Sequence, residues 1–156
     1  MILASMVMQT RRNVLAGAAA MGTIALIPVQ AAAAPELLAV ETARLTGGAA
    51  VKDGRVQLTI PALAENGFSV FTTVEVDSPM TAADHVRRIH ILSERNPIAH
   101  LLTWHIGPRS GIAKVSTNIR LAATQQITAL VEMSDGSFWR DRKEVVVTVA
   151  ACIDGR

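Results

Sequence analysis

The chain has 156 residues, half of them hydrophobic, with 15 Lys and Arg against 13 Asp and Glu. That is room for one domain built around one sizeable core. Two of the basic residues, Arg11 and Arg12, sit in an N-terminal stretch without acids, so the remainder is balanced at thirteen against thirteen; no one-sided basic face is left for a phosphate backbone, and nucleic acid is not an expected partner. In chain order, Thr10-Arg11-Arg12-Asn13-Val14-Leu15 opens into an apolar run from Val14 to Val29 and an alanine run before Pro35. A charged start, an apolar middle and small residues at a cleavage site are the order of an export signal. The pair Arg11 and Arg12 looks like a signal of the twin-arginine kind, read by a bacterial machine that carries folded proteins. The apolar run is broken by Gly17, Gly22, Thr23 and Pro28 and is short against the roughly 20 residues of a spanning helix; an anchored helix is the alternative reading. Residues 1–34 are thus expected to be a signal peptide, and the mature chain to start between Ala33 and Pro35, in the periplasm and free of the membrane.

Pro35 to Leu45 has helical spacing, with Leu37, Leu38, Glu41 and Leu45 at offsets of about three and four. Gly47-Gly48 is the expected stop. From Arg55 the period becomes two: Val56, Leu58 and Ile60 alternate with Gln57 and Thr59 until Pro61. Asn66-Gly67 is a turn signal. Further strands are expected over Ser69–Val76, Val86–Ser93, Ile98–Ile106, Ile112–Leu121, Ile127–Met133 and Phe138–Val149, separated by Asp77-Ser78-Pro79, Asn96-Pro97, Gly107-Pro108 and Ser134-Asp135-Gly136-Ser137. The cleanest alternation puts Ala113, Val115, Thr117, Ile119 and Leu121 on one face. About seven short strands, no convincing interior helix and one wet face predict an all-β fold, an immunoglobulin-like antiparallel β-sandwich. A closed barrel fits the same strand count.

Motifs for turnover are missing from the sequence: there is no G-x-S-x-G, no H-E-x-x-H and no glycine-rich phosphate loop. No catalytic residue and no metal ligand is assigned. His85 and His90, like His100 and His105, are five apart, so within a strand each pair points to opposite faces. They are read as surface or rim histidines rather than a copper set with Cys152. Trp104 and Trp139 are read as core. Cys152 is the chain's one cysteine, so no internal disulfide can form, and the periplasm is oxidising. It follows the alternating Val145-Val147-Val149 and two alanines. Either the thiol finishes the last strand and packs inward, or it stands out on a polar tail and reacts as thiolate. Composition leaves both readings open.

The stretches "PALAENGFSVFTTVEVDSPMT", "NPIAHLLTWHIGPRSG", "VSTNIRLAATQQITALVEMSDGSFW" and "VTVAAC", in this order over roughly Gly47 to Cys152, resemble the SoxY family of sulfur-oxidising bacteria. The resemblance implies residues 35–149 as an immunoglobulin-like SoxY domain and residues 150–156 as a carrier arm. It implies a sulfur carrier rather than an enzyme, with Cys152 as the covalent attachment point and no cofactor beyond the sulfur adduct. It also implies partners: a SoxZ-like subunit in a heterodimer, a haem protein that couples thiosulfate to the thiol, a dimanganese hydrolase that releases sulfate, and a sulfane dehydrogenase. The family's cysteine is usually flanked by glycine pairs; here its neighbours are Ala150-Ala151 and Ile153-Asp154. Alanine keeps a slim profile but stiffens the backbone. That departure motivates a second reading, a diverged assembly subunit that pairs with a SoxZ-like protein and carries nothing.

Overall fold

The computed structural model describes residues 34–150; Arg11, Arg12 and Cys152 lie outside the described residues. Helix α1 (Ala34–Thr46) carries Glu36 in its first turn and Arg44 in its last, each sign at the favourable end of the helix dipole. It stops where the sequence predicts. Gly47 and Gly48 take φ of +62° and +83°, and the Gly48 amide donates back to the Ala43 carbonyl at 3.2 Å. A side chain at either position would be strained.

Nine strands follow: β1 (Val51–Asp53), β2 (Val56–Thr59), β3 (Leu63–Ala64), β4 (Val70–Val76), β5 (Val86–Ser93), β6 (His100–His105), β7 (Lys114–Ile119), β8 (Gln125–Met133) and β9 (Phe138–Val147). Seven of them are those the alternation predicts. The two others, β1 and β3, are three and two residues long and both pair with β9 in parallel. One sheet runs β1-β9-β8-β5-β6, with β3 also on β9; the second runs β2-β4-β7. Apart from β1 and β3, all pairings are antiparallel. The fold is all-β and immunoglobulin-like, as the sequence predicts.

The core lies between the sheets. Leu58, Val74, Ile119 and Leu121 on the smaller side meet Ile89, Ile91, Ile127, Ala129, Val131 and Val145 on the larger. The predicted face of β7 holds: Ala113, Ile119 and Leu121 are buried while Lys114, Ser116, Asn118 and Arg120 are exposed. β8 does not alternate in burial, because its outward residues are covered too. Leu130, Leu92 and Phe138 form a second apolar layer against Leu38 and Leu45 of α1 and Val51 of β1. A strand buried on both faces reads as a nearly continuous apolar run.

Asn66-Gly67 is not a tight hairpin turn. The Asn66 side chain accepts from the Phe68 amide at 3.2 Å, but the chain between β2 and β4 first leaves the smaller sheet to lay β3 along the end of β9. In between, where neither β1 nor β3 covers β9, the Asp141 carboxylate accepts from the Leu58 amide at 2.8 Å and ties β2 across.

Candidate functional site

β9 is the element that positions the C-terminal segment, and its end is held from two sides. On one side, the Thr124 hydroxyl accepts from the Val147 amide at 3.0 Å. On the other, Leu63 is in register with Val146, the Val146 amide donates to Ala62 at 2.8 Å, and the Thr148 amide donates to Ala64 at 3.1 Å. The Thr148 hydroxyl donates to the Glu65 carbonyl. The Gly67 amide donates to the Val149 carbonyl at 2.7 Å, and Gly67 in turn accepts from the Leu121 amide at 2.9 Å. Val145, fully buried, pins the strand beneath. The chain is therefore fixed through Val149, three residues before Cys152. Around this root, Leu63, Phe68, Val146 and Val149 expose apolar side chains. The signal for this in the sequence was weak: "LAENGF" reads as a turn, and only its tertiary pairing with β9 makes it a collar.

The sequence expectation of surface or rim histidines holds for His85, His100 and His105 and fails for His90. His85 precedes β5, with its Nδ1 3.0 Å from the Thr81 carbonyl, and His105 is exposed at the end of β6. His90, however, is buried, and the β5–β6 hairpin brings it to His100, with ring centroids 5.3 Å apart in an edge-on arrangement. The Thr103 hydroxyl lies 2.8 Å from His90 Nδ1 and 2.8 Å from His100 Nε2, and His100 Nδ1 lies 3.1 Å from Glu41 Oε1 on α1. With both rings neutral, these distances order the protons. His100 Nδ1–H donates to Glu41, Thr103 O–H donates to His100 Nε2, and His90 Nδ1–H donates to Thr103. This chain joins α1 to the outward face of the larger sheet. Arg44 beside Glu41 holds that carboxyl below its ordinary range. Among the described residues, no group of three or more His, Cys, Asp or Glu stands close enough to hold a metal ion.

Burial, helped by His100 and Arg88, pushes the His90 imidazole down from 6.5 to about 4, against an opposing pull from Glu132. Above pH 6.5 the ring is neutral folded or unfolded and contributes no pH dependence. Between about 6.5 and 4 the unfolded chain takes up a proton that the folded chain refuses, so stability falls as pH falls. The loss approaches about 3 kcal/mol at the low end, at 1.4 kcal/mol per unit. Urea unfolding of His90→Asn, which keeps a donor towards Thr103, is expected to lose less stability than the parent between pH 7 and pH 4.5. Parallel pH curves for the two proteins would contradict this assignment.

Trp104 and Trp139 both pack against the core while remaining half-buried. Trp139 is flanked by Lys52 Nζ at 5.3 Å and the Arg55 guanidinium at 5.8 Å from its ring, and its indole N–H donates to Ser137 at 3.0 Å. A groove of about 440 Å³ runs between α1 and the larger sheet, lined by Leu38, Thr42, Leu130 and Arg142 among others. Thr128, whose buried hydroxyl has no partner among the described residues, also lines it. None of the histidines or tryptophans singled out in the sequence lines this groove.

The fold has solved counterparts. The sulfur carrier protein SoxY from Chlorobium limicola f thiosulfatophilum superposes with a TM-score of 0.63 at 26% identity, over 74% of this chain and 96% of that one. A superoxide reductase (neelaredoxin) from Ignicoccus hospitalis gives 0.53 at 20% identity, over 60% and 80%. The superoxide reductase from Nanoarchaeum equitans gives 0.52 at 14% identity, over 62% and 100%. The two reductases share the fold. No curated protein matches this sequence. The family model of the sulfur oxidation protein SoxY matches residues 42–152, most of the chain and through to its one cysteine, so the chain belongs to the SoxY family.

Proposed function

We propose that this protein is a periplasmic sulfur carrier that holds sulfur intermediates covalently on Cys152 while partner enzymes act on them. The observation that carries the reading is the family match, which runs through residue 152, where the sequence places its one thiol. The likeness to a solved sulfur carrier supports it. Sulfur chemistry needs a thiol at this point, since no other side chain can accept a sulfane sulfur and later release it across an S–S bond.

The Cys152 thiolate and thiosulfate join through a new S–S bond, giving a cysteine S-thiosulfonate and two electrons, which a haem protein takes up. Water then cleaves the bond between the sulfane sulfur and the sulfone, leaving a persulfide on Cys152 and releasing sulfate and two protons; a dimanganese hydrolase performs this step. A sulfane dehydrogenase is a candidate to oxidise the sulfur that remains. A SoxZ-like subunit completes the carrier as a heterodimer, and the twin-arginine signal at Arg11 and Arg12 delivers it to the periplasm already folded.

The altered flanks Ala150-Ala151 and Ile153-Asp154 favour one other reading, a subunit that pairs with its SoxZ-like partner and carries nothing. Alkylation of the native mature protein by iodoacetamide separates the two. A carrier's thiol is expected to react within about threefold of the rate of the free peptide, as an accessible thiolate does. A rate slower by about a hundredfold or more marks an inert, packed thiol and favours the assembly subunit.

A further inference from the structure

We propose that the apolar collar at the root of the C-terminal segment is the surface on which the enzymes that modify Cys152 dock; this rests on the carrier reading above. Of the nine large apolar side chains exposed among the described residues, Leu63, Phe68, Val146 and Val149 are 45–58% exposed and gather at one place. Leu63 is in register with Val146, and the Gly67 amide beside Phe68 holds the Val149 carbonyl. Exposed apolar clusters of this kind mark interaction surfaces.

The reach of the chain identifies the occupant. Cys152 is three residues on from Val149, and a fully extended chain gains at most about 3.6 Å per residue, so Cys152 stands no more than roughly 11 Å from Val149. Val149 itself is fixed by its bond to Gly67. An enzyme that takes the Cys152 sulfur into a cleft must bring the mouth of that cleft down to the surface carrying Val149, and so must cover the collar. The complementary surface is a cleft with an apolar rim. Most of the binding energy at such a contact comes from a few buried aromatic or aliphatic anchors, and Phe68 and Leu63 are placed to be those anchors.

The test uses the full-length protein expressed in place of the native copy in cells growing on thiosulfate. Three substitutions are compared with the parent: Leu63→Asp with Phe68→Asp, Phe68→Ser alone, and Ile112→Asp, which alters an exposed apolar side chain on the loop before β7. Intact mass reads the fraction of chain carrying sulfur on Cys152, and iodoacetamide reads the thiol's access to a small reagent. The double variant is expected to carry about tenfold less adduct or lower, and Phe68→Ser several-fold less. Ile112→Asp is expected to match the parent, and alkylation rates to stay within about twofold throughout. The milder Phe68→Ser keeps the test decisive if the double variant folds poorly. Loading of both collar variants at the parent level would overturn the docking surface and leave the carrier reading standing. A parent chain that carries no adduct would remove the carrier reading and the docking surface with it. A parent homodimer in light scattering that the double variant abolishes would assign the collar to a second copy and overturn the proposal.

Discussion

Replacing Cys152 with serine is expected to reduce thiosulfate-dependent sulfate formation to that of cells lacking the protein, with no change in the thermal midpoint of the folded domain. Serine is nearly isosteric, but its oxygen cannot form the S–S bond through which a sulfane sulfur is held and released. No second thiol can substitute, because the sequence contains one cysteine. The fold has no stake in the exchange as far as residues 34–150 show: the core between the sheets closes on Val145, and the last tethers are at Thr148 and Val149. Loss of function without loss of stability is the signature of a residue that carries chemistry. Equal oxidation rates for the variant and the parent would show that the protein works without its thiol, as an assembly subunit does.

Substituting Asn96 with leucine is expected to cost about 4 kcal/mol, the sum for one buried and two part-buried partners left unpaired, toward the lower end of about 1–3 kcal/mol each. Asn96 is buried, as are its neighbours Ser93 and Gln125. Its side-chain oxygen accepts from the Ala122 amide at 2.9 Å and from Gln125 Nε2 at 2.8 Å, and its Nδ2 donates to the Arg120 carbonyl at 2.7 Å. Gln125 Oε1 in turn accepts from the Ser93 hydroxyl at 2.5 Å and from the Arg95 amide at 2.9 Å. This network clamps the turn after β5 to the segment that crosses from β7 in the smaller sheet to β8 in the larger, and so fixes one sheet against the other. For a domain of this size the expected fall in Tm is about 15 °C. Combining Asn96→Leu with Gln125→Leu is expected to cost less than the sum of the two, since each already breaks their shared bond. Strict additivity in urea unfolding would contradict a connected network.

Asn96 also shows why part of the fold was legible in the sequence and part was not. Before a proline, an asparagine reads as a turn residue, and it does lie in a turn; nothing local says that its side chain points inward to bind a crossing 24 residues later. The seven longer strands were legible because each carries either a period-two pattern, as in β7, or a short apolar run closed by turn residues, as in β8, and the end of α1 because Gly47-Gly48 is a local stop. β1 and β3 were not, since two or three residues have no period and become strands only by borrowing the edge of β9. His90 was misplaced for a related reason. Its spacing from His85 says nothing of the pairing across the β5–β6 hairpin that brings it to His100, and burial follows from α1 lying over that face. At the candidate site, the strand leading to Cys152 was legible, whereas the collar around its root depended on tertiary pairing.

The most direct test of the carrier account is intact-mass spectrometry of the protein drawn from cells actively oxidising thiosulfate, followed by peptide mapping of the modified site. The account predicts chains heavier by a thiosulfonate or a persulfide, with the added mass confined to the peptide that contains Cys152 and absent from Cys152→Ser. Chains that keep a bare thiol at every time point, in cells that convert thiosulfate to sulfate at full rate, would contradict it.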